Sequence, residues 1–238
     1  MPPLPSPESR IVPVHVGIIM DGNGRWAEKR KLVRFQGHLE GLKAAKRIVK
    51  AASDAGIRFL TLYVFSTENW KRTAEEVGFI MGLVKQYLRG ELEFYRENRI
   101  RIRHAGDPLG LPKDIAAELA SACEETASFP GMQVVLALNY GGRDEIVRAL
   151  KRLVAENGAM PSISEKTIRS FLDNPDIPDP DLVIRSAGEY RTSNFLLWEA
   201  AYTEYYVSEV LWPDWTKEEF DKALAAYGKR QRKFGGIT

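Results

Sequence analysis

The chain has 238 residues, 44% of them hydrophobic, which suits one large α/β domain, or at most two small ones, with a core that needs no covalent staples. A formal net charge of only +2 argues against a basic nucleic-acid module, and a single cysteine, Cys123, excludes an intramolecular disulfide and a multi-cysteine zinc site. No apolar run is long enough to span a bilayer and the proline-rich Met1–Arg10 stretch lacks the apolar core of a signal peptide, so a reducing cytoplasmic setting is expected, with a membrane contact from one side still open.

Residues 1–12 are expected to be disordered and 13–238 to form one folded domain. Val14–Met20 is nearly continuous in apolar residues, as a strand buried on both faces requires. The spacing then predicts a helix over Gly37–Ala55, with Leu42, Ala45, Ile48, Val49 and Ala52 on one face, lysines and Arg47 on the other, and Gly56 as its stop. A second buried strand at Ile57–Phe65 leads to a helix over Ala74–Asn98, and a third strand at Ile100–His104 to a helix over Lys113–Ala127. Met132–Leu138 reads as a fourth strand, followed by helices over Arg143–Glu156 and Ile163–Leu172, a strand at Leu182–Ile184 and a helix over Phe195–Tyr206. A short sixth strand is placed near Val210–Trp212, before a last helix over Lys217–Lys233. Thr73/Glu76, Ser162/Glu165 and Thr216/Glu219 have the spacing of capping boxes. This alternation implies a parallel sheet with helices on both faces, whose ligands bind beyond the carboxyl ends of the strands.

The first strand delivers Asp21, Gly22, Asn23, Gly24, Arg25 and Trp26 to that edge. The glycines permit a sharp turn and a close backbone approach, successive amides can make an anion nest, and Arg25 offers a fork of donors to phosphate oxygens. Asp21 suits Mg²⁺, which takes one or two carboxylates together with phosphate oxygens and water. On these residues alone two readings stand: a diphosphate–metal cradle, or a tight turn in which Asp21 and Asn23 bond their own backbone. Neither a Walker loop nor the dinucleotide glycine pattern is present. Other polar segments of the chain favour phosphate. Arg34, Gln36 and His38 stand at the expected start of the next helix, where free amides and the dipole attract anions. The second strand runs into Ser66, Thr67, Glu68, Asn69, Trp70 and Arg72, and the fifth into Arg185, Arg191, Ser193 and Asn194, so three strand ends each contribute arginine.

The stretch from His15 through Asp21 to Trp26 resembles the first signature of the cis-prenyltransferases, the family of undecaprenyl diphosphate synthase. Leu62–Trp70, Asn139–Arg143, Asp181–Arg185 with Arg191–Trp198, and Glu204 with Leu211–Asp214 resemble its later motifs in order and spacing, from about Val14 to Gly236. The resemblance implies a single catalytic domain around a mostly parallel six-stranded sheet, a homodimer, Mg²⁺, and the joining of isopentenyl diphosphate to an allylic diphosphate such as farnesyl diphosphate. By the same resemblance Asp21 would bind Mg²⁺ and assist departure of the allylic diphosphate, with Glu204 completing the metal shell. Gly22, Asn23, Gly24, Arg25, Arg34 and Arg72 would hold the allylic diphosphate, and Arg185, Arg191 and Ser193 that of isopentenyl diphosphate. His38, Ser66 and Asn69 would lie near the reacting carbons, and Trp26, Thr67, Glu68 and Trp70 would join the substrate-binding set, Trp70 chiefly as wall. Thr73, Ala187, Tyr190 and Lys233 depart from the family's usual residues, Lys233 at a position where an arginine can reach a diphosphate across the dimer.

The growing tail requires an apolar tunnel, for which the Ala74–Asn98 helix and Leu62, Val64, Leu136 and Leu138 are the expected lining. The proton acceptor stays open among a diphosphate oxygen, Ser66, Asn69 and His38. A short-chain Z-prenyl synthase and a noncatalytic partner subunit are the alternatives within the family, though the intact Asp21–Arg25 loop disfavours the second. A phosphate-ester hydrolase would need a nucleophile or a two-metal carboxylate cluster.

Overall fold

The computed structural model describes residues 12–157 and 163–230. Residues 1–11, which make up nearly all of the segment expected to be disordered, lie outside the described residues, as do Ser162 and Lys233. Strands β1 (His15–Ile19), β2 (Phe59–Ser66), β3 (Arg101–Ala105), β4 (Gln133–Tyr140), β5 (Leu182–Arg185) and β6 (Glu204–Val207) form one six-stranded sheet in the order β3-β4-β2-β1-β5-β6. Every pairing is parallel.

The all-parallel arrangement follows from strands that must be apolar on both faces. Along β4, Val134, Leu136 and Leu138 point into one core while Val135 and Ala137 point into another, as the two-residue period of a strand demands. The larger core is closed by helices α2 (Arg34–Asp54), α3 (Ala74–Gly90), α5 (Lys113–Glu125) and α8 (Lys217–Gly228), which contribute Ile48, Ile80, Leu119 and Phe220. On the opposite face Ile177, Phe195 and Leu196 cover the sheet. Helices α1 (Asn23–Lys29), α4 (Leu92–Glu97), α6 (Gly142–Asn157) and α7 (Glu165–Ser170) complete the order of the chain.

Several expectations change. The helix expected over Ala74–Asn98 breaks at Glu91 into α3 and α4, where Gly90 weakens the helix interior. The helix expected over Phe195–Tyr206 does not form: Ser193, Asn194 and Leu196 all have positive φ, and strand β6 begins at Glu204. The sixth strand therefore precedes Val210–Trp212, which leads instead into a 3₁₀ turn, Trp212–Asp214. Helix α7 is capped by Ser164, whose side chain accepts from the Thr167 amide. Thr216 occupies an N-cap position without a side-chain cap bond: its side chain bonds the Glu218 carboxylate, and the Glu219 carboxylate pairs with Lys222. Half of the Thr73 box forms: Thr73 accepts from the Glu76 amide, while the Glu76 side chain points elsewhere.

His15 belongs to the core. Its ring lies between the Pro178 carbonyl at 2.7 Å and Thr61 Oγ1 at 2.8 Å, and burial pulls it down to about 4 from an ordinary 6.5. The unfolded chain then takes up this proton before the folded one does, so stability contributed by neutral His15 is present above pH 6.5 and is lost as pH falls toward about 4. Thermal unfolding followed across that window is expected to show this loss in the wild type and a flatter profile in His15→Gln.

Candidate active site

The carboxyl end of β1 is turned by Gly22, whose φ of 105° is left-handed and whose missing side chain leaves room for Leu211 Cδ2, which a Cβ would meet at 2.9 Å. The Gly22 amide donates to Asp21 Oδ1 at 2.7 Å, so the tight-turn reading holds for Asp21 but not for Asn23, whose Oδ1 is buried without a partner. Ser186, just past β5, accepts from the Asp21 amide at 2.9 Å and donates to the Asp21 carbonyl at 2.7 Å, which locks the two strand ends together.

Arginines from separate segments converge on Asp21. Arg185, only 4% exposed, donates from Nη2 to Asp21 Oδ2 at 2.8 Å and from Nη1 to Ser193 Oγ at 2.7 Å and the Arg191 carbonyl at 2.6 Å. Its Nε is buried without a partner. Arg25 lies 3.6 Å and Arg191 3.8 Å from the same carboxylate. Glu189, which sequence reasoning missed, pairs with both of these arginines, at 3.1 and 2.5 Å. The available signal was its position between Arg185 and Arg191 on one short loop.

A second cationic group gathers on Glu76 rather than Asp21. Arg72 at 2.8 Å, Arg34 at 3.2 Å and His38 Nε2 at 3.3 Å all meet its Oε1. Burial opposes ionisation of this carboxyl, but Arg72 and Arg34 hold it below the usual range. His38 is held neutral mainly by burial, against the pull of Glu76.

These groups line two adjoining polar clefts. One, of about 610 Å³, is walled by Asp21, Ser66, Glu68, Asn69, Arg72, Arg185, Arg191 and Ser193. The other, of about 540 Å³, is walled by Asp21, Gly22, Gly24, Arg25, Arg34 and Arg72. Asp21, Asn23, His38 and Arg72 border both. A narrow apolar cavity of about 110 Å³ begins at Met20, Asn23 and His38 and continues past Leu42, Leu62, Val64, Ile80, Val84 and Leu136 to Tyr87 and Leu88.

Other expected site residues are placed differently. Ser66 and Asn69 cap the 3₁₀ turn Thr67–Lys71 reciprocally while also bordering the larger cleft. Thr67 packs against Gly141, and Glu68 accepts from Asn194 Nδ2 at 2.9 Å. Trp70 lines neither cleft nor the apolar cavity: its Nε1 donates to Asn139 Oδ1 at 2.7 Å and its ring meets Phe65 edge-on. Trp26 borders neither cleft: its Nε1 donates to Asp214 at 2.6 Å and Arg30 stacks on its ring. Glu204 requires the largest correction. It registers with Leu182 and through it with Val16, at the amino edge of the sheet, where it pairs with Arg230. Asp21 lies five residues beyond Val16, roughly 16 Å along the strands, so Glu204 does not join it in a metal shell within one chain.

Comparison with known proteins agrees with this architecture. The family profile described for undecaprenyl diphosphate synthase matches residues 19–235. An isoprenyl transferase of Treponema denticola is 53% identical over 221 residues, covering 93% of this chain and 96% of the relative. One from Thermotoga maritima is 46% identical over 228 residues, covering 95% and 98%. The crystal structure of lavandulyl diphosphate synthase from Lavandula x intermedia, in complex with dimethylallyl diphosphate, superposes with a TM-score of 0.91 at 36% identity, covering 94% of this chain and 99% of that one. A "probable undecaprenyl diphosphate synthase" from Campylobacter jejuni gives 0.80 at 35% identity, with the same coverage. The fold is thus that of a prenyltransferase. Within that class the chain belongs to the undecaprenyl diphosphate synthase family of cis-prenyltransferases.

The electrostatics around Glu76 are open to direct measurement. Since Glu76 raises the His38 pKa against burial and against Arg72 and Arg34, Glu76→Gln is expected to lower it further. An imidazole NMR titration of both proteins checks the direction.

Proposed function

We propose that the protein joins isopentenyl diphosphate to an allylic diphosphate, with farnesyl diphosphate the expected primer, to build a Z-configured polyprenyl diphosphate of the undecaprenyl type. One observation carries this reading: two arginine-lined clefts meet at Asp21, and an apolar cavity opens from the same meeting point. That geometry fits two diphosphate heads and one hydrocarbon tail. Arg25, Arg34 and Arg72 would hold the allylic diphosphate, and Arg185, Arg191 and Ser193 that of isopentenyl diphosphate.

The reaction breaks the allylic carbon–oxygen bond, whose electron pair leaves with the diphosphate. The double bond of isopentenyl diphosphate supplies the pair for the new carbon–carbon bond, and a proton is then lost from the isopentenyl unit. Fixed guanidinium donors stabilise the departing charge without reorganising. Holding the two substrates side by side can contribute roughly 7–11 kcal/mol through proximity. Mg²⁺ is part of the proposal. Asp21 is the carboxylate shared by both clefts, and Mg²⁺ accepts one carboxylate with phosphate oxygens and water, so the donor set fits an ion that arrives with substrate. Bound there, it would supply further charge neutralisation on the diphosphate.

The reading also includes a homodimer and a peripheral membrane contact that helps release the oily product. The open edge strand β6, with Tyr205 and the nearby Tyr202 exposed, supports a surface for a second copy. No described helix is long and apolar enough to cross a membrane. A shorter product is the second reading, favoured by the small volume of the apolar cavity and by the buried Tyr87 in its lining, whose hydroxyl is fixed by that of Tyr95 at 2.7 Å.

Purified protein supplied with Mg²⁺, farnesyl diphosphate and labelled isopentenyl diphosphate is expected to yield an extractable labelled polyprenyl diphosphate, whose chromatographic length separates the two readings. No incorporation with any common allylic primer would overturn both. Asp21→Ala is expected to lower kcat by at least about a hundredfold, the scale of losing a preorganised electrostatic contact, with the circular dichroism spectrum unchanged.

A further inference from the structure

The segment that supplies Ser193 to the Arg185 cleft is strained. Ser193, Asn194 and Leu196 have φ values of 49°, 64° and 46°, in the left-handed region that side chains other than glycine rarely occupy. Such strain persists only where the surroundings over-determine it. Asn194 ties the segment to the start of α6 through its carbonyl, which accepts from the Gly142 amide at 2.7 Å, and its Oδ1, which accepts from the Arg143 amide at 2.9 Å. The Phe195 ring stacks on Tyr63 at 4.6 Å. The segment then runs to Glu199, whose carboxyl lies within hydrogen-bonding reach of Glu145 on α6.

These two carboxyls form a buried acidic pair. Glu145 is only 2% exposed and both its oxygens are occupied: Oε2 accepts from the Tyr140 hydroxyl at 2.5 Å and Oε1 from the Asp173 amide at 3.1 Å. Glu199 Oε2 is buried with no donor facing it. Two ionised carboxylates can only accept, so the contact requires a proton between them. The charged groups around the pair do not supply a substitute. From α6, Arg148 is committed to Asp144 and Asp173, and Arg152 to Asp173. Asp173 and Asp179 add negative charge from the segment before β5, with Asp179 paired to Arg169 of α7, and Tyr140 of β4 is already donating.

We infer that Glu199 is a positioning residue: a proton shared with Glu145 fastens the strained 193–199 segment to α6 and thereby sets Ser193 and Arg185 for the second diphosphate. This rests on the diphosphate reading of the Arg185 cleft. Burial and the Glu145 charge push the Glu199 carboxyl up to about 8, so the clasp is closed at neutral pH and opens in mild alkali.

The test combines a spectrum with kinetics. Infrared spectra of the wild type at neutral pH are expected to show the carbonyl stretch of a protonated carboxylic acid that disappears above about pH 8 and is missing in Glu199→Gln. KM for isopentenyl diphosphate in the wild type is expected to climb above that pH, by up to about tenfold per pH unit as the competent fraction falls, while kcat changes little. Glu199→Gln, which keeps a donor at every pH, is expected to retain the neutral KM and lose the alkaline rise, whereas Glu199→Ala raises KM throughout. A purely structural role would lower kcat with the folded fraction and leave KM and its pH profile alone. An alkaline rise of the same size in Glu199→Gln, or no acid band in the wild type, would overturn the inference. The band is read without substrate, so a chain that turned nothing over would sink the diphosphate reading while the spectrum still decided the shared proton.

Discussion

A sheet in which every strand runs the same way sends all its carboxyl ends to one edge, and the site depends on that constraint. Asp21 follows β1 and Arg185 ends β5, far apart in sequence but on neighbouring strands in register. Their 2.8 Å ion pair is a direct product of that register. A slip of one residue would turn Arg185 to the opposite face and leave a buried guanidinium without its carboxylate, a loss of the kind that costs several kcal/mol. The pair therefore ties the correctness of the sheet to the assembly of the cleft.

Around that pair, positive charge is gathered and held in place before any anion arrives. Asp21 and Glu189 keep Arg25, Arg185 and Arg191 directed inward, and Glu76 does the same for Arg34, Arg72 and His38. Without these carboxylates the guanidinium groups would repel one another and swing into water. With them, donors stand fixed along the two clefts, the condition under which electrostatic stabilisation of an anion is most effective. Asp21 therefore has two roles, as counter-ion in the free protein and as a shared border of both clefts.

The polar edge and the apolar cavity are built from the same elements. Strand β2 and helices α2 and α3 line the apolar cavity through Leu62, Leu42 and Ile80, and the polar clefts take over where β1 and β2 end. Met20 and His38 stand at the change from one to the other. Burying each methylene is worth about 0.8 kcal/mol, so an apolar chain short enough to enter such a cavity would be held by burial alone.

Much of this was legible in the amino-acid order. Continuous apolar runs announced β1, β2 and β4, and the polar residues just beyond β1, β2 and β5 announced a polar, arginine-lined edge, because buried parallel strands leave few other places for clustered arginine and glycine. The Phe195–Tyr206 stretch misled because its apolar residues cap the second core from left-handed turns rather than from a helix face, and spacing alone does not distinguish the two. Trp26 and Glu204 sit inside motif-like stretches, yet their side chains answer to Asp214 and Arg230, partners that only packing brings near. Local pattern, then, determined which segments are buried and which strand ends are polar, since burial periodicity is a property of neighbouring residues. Tertiary structure decided which carboxylate meets which arginine, that Glu76 and Glu189 serve as anchors, and that Glu204 lies at the far edge, because these contacts are set by strand order and register across long separations in the chain.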